Sequence, residues 1–118
     1  MNIEQFRAYC LKKKGVTEEF PFDEVTLVFK VMGKMFALCG LEHIPAKVNL
    51  KCDPERAITL REEYDGDIIP GYHMNKQHWN TVTLEAVPPH LIKELIDHSY
   101  ILIVNKFPKK LRAAYDAL

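Results

Sequence analysis

A short break, Met32-Gly33-Lys34, separates two stretches whose apolar residues keep the period of a β-strand. Val25, Leu27, Phe29 and Val31 alternate with Thr26, Val28 and Lys30, and Met35 to Leu41 is apolar at both parities, the pattern of a central strand. A glycine between two such runs lets the chain reverse tightly, so the pair predicts an antiparallel hairpin. Lys47 to Cys52 adds a third strand, with Val48 and Leu50 facing inward and Lys47, Asn49 and Lys51 outward. Trp79 to Glu85 adds a fourth, with Val82 and Leu84 on one face and Trp79, Thr81 and Thr83 on the other.

Helix signals bracket these strands. Asn2 and Gln5 have the spacing of a reciprocal cap, which predicts a helix from Ile3 to Lys14 ended by Gly15, its buried stripe being Ile3, Phe6, Cys10 and Leu11. Asp53 before Pro54 starts a second helix, which runs to about Tyr64 and is broken by Asp65-Gly66-Asp67. Pro88-Pro89 introduces the longest, with Leu91, Ile92, Leu95, Ile96, Leu102 and Ile103 at helical spacing; Phe107-Pro108 interrupts it before a terminal helix carrying Lys109, Lys110 and Arg112. The solution that buries all these faces is a two-layer α+β domain, an antiparallel sheet with helices packed on one face. The 118 residues make one such domain, residues 1–118, long enough to bury roughly two-thirds of the unfolded surface.

Charge and cysteine content exclude several functions. Sixteen basic and sixteen acidic residues cancel, which argues against coating nucleic acid through overall charge and leaves only a local basic patch. Cys10, Cys39 and Cys52 are odd in number and form no Cys-x-x-Cys pair, so neither a disulfide framework nor a zinc knuckle is expected, only buried reduced thiols. The N-terminus alternates apolar and polar residues where a signal peptide would be continuously apolar, and no apolar run approaches a membrane span. A cytoplasmic monomer without membrane association is the expectation.

No phosphate loop, dinucleotide fingerprint, nucleophile elbow or zinc-protease motif occurs, so no catalytic residue and no cofactor is assigned. His73 and His78 are five apart, a spacing that suits one face of neither strand nor helix, and no metal is assigned to them. The outward strand positions are more informative. Thr26, Lys30, Lys47, Asn49, Lys51, Trp79, Thr81 and Thr83 would share one sheet face, with Glu85 as the only carboxylate at its margin. Lysines there could meet phosphates while the indole stacks a base. A polar outer face with edge lysines is also what any half-buried antiparallel sheet shows to water. The loop leading to Trp79 is dense in hydrogen-bonding groups: His73, Asn75, Lys76, Gln77 and His78 follow the flexible Gly71. These side chains either lock a long loop onto the sheet or meet a polar, anionic ligand.

The run His73-Met74-Asn75-Lys76-Gln77-His78-Trp79-Asn80-Thr81-Val82 resembles the His-x-Asn-Lys-x-His-Trp-x-Thr-Val signature of the MmcQ/YjbR family, small bacterial proteins often labelled DNA-binding. Lys13-Lys14-Gly15, Val48 to Lys51 and Asp97-x-Ser99-Tyr100 extend the resemblance over nearly the whole chain. The resemblance implies a CyaY-like fold, helices against a twisted antiparallel sheet, and DNA binding through projecting loops; here these wings would be Met32 to Lys34 and Gly71 to His78. Frataxins share that architecture and use an acidic helix surface for iron, but Lys12 to Lys14 close the first helix here, so iron handling does not carry over. The leading expectation is a non-enzymatic DNA-binding protein in which Lys30, Lys47, Lys51 and Lys76 contact phosphate while Trp79, His73 and His78 form the recognition surface beside Asn49 and Asn75. The alternatives are a site for a small anionic or nucleotide-like ligand on the same face, and a protein-interaction adaptor using Lys106, Lys109, Lys110 and Arg112.

Overall fold

The computed structural model describes residues 1–118. Its elements, in chain order, are α1 (Ile3–Leu11), β1 (Val16–Glu19), β2 (Thr26–Val31), β3 (Lys34–Gly40), β4 (Lys47–Lys51), α2 (Pro54–Glu63), β5 (Ile68–Pro70), β6 (Trp79–Thr83), α3 (Pro89–Val104) and α4 (Lys109–Asp116). The six strands form one sheet in the order β1-β2-β3-β4-β6-β5, every pair antiparallel. All the helices that contribute to the main core lie on one face of it, which is the two-layer α+β arrangement expected.

The start signals act as predicted. Asn2 accepts the Gln5 backbone N–H at 2.8 Å while the Gln5 side chain accepts that of Asn2 at 3.0 Å. Asp53 accepts the Arg56 N–H ahead of Pro54. Helix α1 nevertheless ends at Leu11, one turn before Lys14, because the chain must turn through Gly15 (φ +75°) to begin β1. Two edge strands, β1 and β5, were not expected, and β6 stops at Thr83 instead of Glu85. The hairpin turn is the two residues Met32 (φ +50°) and Gly33 (φ +81°), whose paired positive φ values match the twist of the flanking strands. It is too short to be a projecting wing, and Met32 itself packs against the core.

Helix α3 lies across the sheet's centre, burying Leu91, Ile92, Leu95, Ile96, Tyr100 and Val104 against Leu27, Phe29, Ala37, Cys39, Val48 and Leu50. Ser99, the one small polar residue on its buried face, ties it down: Ser99 Oγ donates to the Phe36 carbonyl at 2.5 Å and accepts the Lys51 N–H at 2.9 Å. The β2–β3 register shifts between Phe29 and Lys30, which leaves Phe36 as the extra residue on β3 and turns it toward the helices, where its ring meets Tyr100 edge-on. The three cysteines are buried and unpaired. No helix is long and apolar enough to cross a membrane.

Candidate functional site

Register places the outward residues in rows. Val28, Leu38, Asn49 and Thr81 align across β2, β3, β4 and β6, followed by Ile69 on β5; Thr26, Gly40, Lys47 and Thr83 form the next row. The helix-free face of the sheet therefore does carry the residues expected of it, yet it is not an open platform. Three connections fold over it: the β1–β2 loop brings Phe22 and Asp23, the β3–β4 loop brings His43, and the β5–β6 loop brings Tyr72, His73 and Met74. Together they enclose a cavity of about 780 Å³, with Thr26, Met35, Leu38, Lys47, Asn49, Ile69 and Thr81 as further lining. That volume is in the range of small-molecule sites.

The β5–β6 loop is held by its own polar groups. Gly71 N–H donates to Trp79 O at 2.8 Å, Asn75 O accepts from Trp79 N–H at 3.0 Å, and Asn75 Oδ1 accepts from Gln77 N–H at 3.0 Å. Gly71 is obligatory for close approach, since a Cβ there would stand 2.7 Å from Trp79 Cβ and 2.9 Å from Trp79 O. Behind the sheet, Arg61 of α2 reaches the loop: its Nε donates to Asn80 Oδ1 at 2.7 Å and its Nη2 to the Lys76 and Trp79 carbonyls. Asn75 is thus a turn residue. Lys76 contributes its carbonyl to Arg61, and neither its side chain nor that of half-buried His78 lines the cavity.

The indole of Trp79 is on the expected face but is only 8% exposed. It packs on Val28 and Leu38 with Met35 and Met74 over it, forming a second, small apolar core between loop and sheet. The expectation that Trp79 stacks a base is corrected on this point: the loop built to present it instead covers it. Lys30 is likewise spent, in an ion pair with Glu19, a carboxylate that the strand pattern had not placed on this face. The Lys51 ammonium lies near Lys106 beyond the end of α3, and burial followed by that like charge lowers its pKa. Of the nine expected site residues, Lys47, Asn49 and His73 meet in the cavity; Lys30, Lys51, Asn75, Lys76, His78 and Trp79 do not line it.

Hydrogen bonding on the cavity floor has a fixed direction. The Tyr72 backbone N–H can only donate, and it donates to Thr81 Oγ1 at 3.0 Å. The Thr81 hydroxyl then donates to Asn49 Oδ1, which leaves the Asn49 amide N–H groups as donors to the cavity. Lys47 takes part in none of the protein's ion pairs. The one lining carboxylate, Asp23, already accepts from Val25 N–H at 2.9 Å, Thr26 N–H at 2.7 Å and the Thr26 hydroxyl at 3.1 Å, bonds that lower its pKa. The cavity is consequently rich in donors, with its carboxylate committed to its own loop.

His43 and Phe22 had no strand periodicity to mark them. Gly40 makes room for the first: a Cβ at that position would be 2.4 Å from His43 Cδ2, so only glycine lets the imidazole lie against β3. His73 adopts a left-handed backbone, φ +59°, with its ring 4.0 Å from that of Tyr72. No cluster of three or more His, Cys, Asp or Glu side chains is arranged to hold a metal ion.

A six-stranded antiparallel sheet with one face under helices and the other roofed by loops defines the class of domain. Residues 11–102 match the YjbR family, and the chain belongs to that family. It is 37% identical over 114 residues to Escherichia coli K12 YjbR, covering 95% of each chain, and 39% identical over 93 residues to YbdF of Escherichia coli O157:H7, covering 77% of this chain and 75% of that one. A crystal structure of a Deinococcus radiodurans DUF419 protein superposes with a TM-score of 0.91 at 42% identity, covering 98% of this chain and 88% of that chain. One from Pseudomonas syringae gives 0.73 at 32%, covering 86% and 98%.

Proposed function

We propose that this protein is a binding domain whose loop-roofed sheet face takes a small anionic ligand. The observation that carries the reading is the donor content of the cavity: the Lys47 ammonium, the Asn49 amide and the imidazoles of His43 and His73 all line it, while its only carboxylate, Asp23, is turned to two backbone N–H groups and a hydroxyl of its own loop. An unpaired ammonium beside oriented amide donors favours negative charge on whatever enters. The reading is of binding: the one hydroxyl–carboxylate contact in the lining, Thr26 Oγ1 to Asp23 Oδ2 at 3.1 Å, closes a turn within a single loop. Thermal unfolding in the presence of small organic anions, repeated with Lys47→Met, tests it: anions that raise the melting temperature of the parent protein should lose that effect in the variant. Stabilisation of both proteins alike would move the site elsewhere.

DNA binding is the second reading, and one feature favours it. Phe22 and Tyr72 stand 67% and 62% exposed at loop tips beside the cavity that holds Lys47, and exposed rings next to an ammonium can stack bases of a single strand. It predicts affinity that rises with oligonucleotide length and falls steeply with salt. A small-ligand site is indifferent to length, so anisotropy with labelled single strands of increasing length separates the two.

A further inference from the structure

The ligand's chemistry can be narrowed further, on the reading that the cavity takes an anion. We propose that it is an amphipathic monocarboxylate: one carboxylate against Lys47 and the Asn49 amide, and a flat aromatic or alkyl body against the apolar wall. The polar side holds one ammonium, one amide, two imidazoles, the hydroxyls of Thr26 and Thr81 and the loop-bound carboxylate of Asp23, with no arginine, no helix N-terminus and no run of glycines among the lining residues. Polyphosphates are ordinarily held by such features, by arginine forks or by backbone N–H groups converging at a helix start. A single lysine with an amide matches a single carboxylate.

The rest of the wall is apolar and deformable. Met35, Leu38 and Met74 line one side, continuous with the small core around Trp79, and Ile69 lines the floor. Thioethers adapt to irregular shapes and make favourable contacts with aromatic rings. Phe22 and Tyr72 at the mouth are among the most exposed large apolar side chains of the chain, and a hydrophobic body in the cavity would give them a surface to close on.

Calorimetric titration of the intact protein with benzoate, 2-naphthoate and decanoate tests the assignment, with 2-naphthamide, acetate, inorganic phosphate and a nucleoside monophosphate as comparators. At least one apolar carboxylate should bind saturably at one per chain, with the amide and acetate about tenfold weaker or more, the worth of one charge-assisted contact or of the buried body. Lys47→Met should weaken the carboxylate about tenfold, and Lys47→Arg, which keeps the charge, should weaken it less. Lys110→Met, on α4 and outside the cavity, should change nothing. Equal binding of 2-naphthoate and its amide overturns the carboxylate assignment. Binding of phosphate or the nucleotide in a Lys47-dependent way, with the apolar carboxylates silent, overturns the amphipathic class and leaves the anion cavity standing. Silence from every anion overturns both.

Discussion

Arg61 supports the cavity from behind the sheet, and its removal would expose how much of the loop depends on one side chain. Its guanidinium serves the Asn80 side chain and two loop carbonyls at once. Asn80 is 2% exposed, so Arg61→Ala leaves a buried amide oxygen short of a donor, which costs about 2 kcal/mol. Denaturant unfolding should show that loss, and hydrogen exchange should show the Gly71 and Trp79 amides losing protection ahead of those in β3. A second residue-scale prediction concerns His98, whose Nε2 accepts the Asp53 N–H at 3.1 Å and must be unprotonated to do so. Burial first, then the Arg56 charge, lowers its pKa below 6.5, against weaker opposing pulls from Asp53 and Glu94. The folded state therefore binds fewer protons than the unfolded one: this contribution is complete above about pH 6.5 and is lost as pH falls through the lower folded value. The lowered pKa values of Glu18 and Asp23 act in a more acid window, below about 4. Stability should thus decline as pH falls below about 6.5 in the parent protein and decline less in His98→Gln, which keeps an acceptor that does not titrate. At this scale the alternation placed Lys47 and Asn49 on the face where, with His73, they line the cavity. It misjudged Trp79, Lys30 and Lys51, because the fate of a side chain depends on partners such as Met74, Glu19 and Lys106 that lie far away in the chain or were not assigned to this face.

Elements were legible in proportion to their pattern. The reciprocal Asn2–Gln5 cap, the Asp53-Pro54 start and the alternation around Met32-Gly33 are local signals with local causes, and each produced its element. β1 and β5 carried no such signal. They are edge strands of four and three residues, one ending in two glutamates and the other in proline, and they are strands only because β2 and β6 offer them a ladder. The loop between β5 and β6, whose side chains could either lock it onto the sheet or meet a ligand, is a locked cover whose backbone contacts leave no room at Gly71, with Tyr72, His73 and Met74 turned to the cavity. Gly71→Ala forces the added methyl into Trp79 Cβ and Trp79 O, so the loop must lift or the strand must shift. A loss of about 1–3 kcal/mol is expected, with a red shift of Trp79 emission as the cover opens. An unchanged melting temperature and spectrum would show that the loop is not seated as described.

For the molecule as a whole, the two faces of the sheet have different origins. The helix-covered face follows from periodicity, and a core of 23 buried residues that includes all three cysteines made the two-layer architecture readable from sequence. The opposite face becomes a cavity only when three connections, distant in sequence, converge on it, and no local spacing announces that. Burial in the main core raises the pKa of Cys39 and of Cys52 to about 11 and pushes Cys10 higher still. All three thiols should therefore resist alkylation at neutral pH in the native protein and react together on global unfolding, which mass spectrometry across a denaturant series can follow. The β5–β6 loop closes the sheet face into a cavity over a covered indole. Acrylamide quenching of the single tryptophan tests this closure most directly. Blue-shifted emission and strong protection of Trp79 are expected in the native state, with protection lost in Gly71→Ala; water-like emission and free quenching in the native protein would mean that the loop does not cover the indole and would restore the open stacking face.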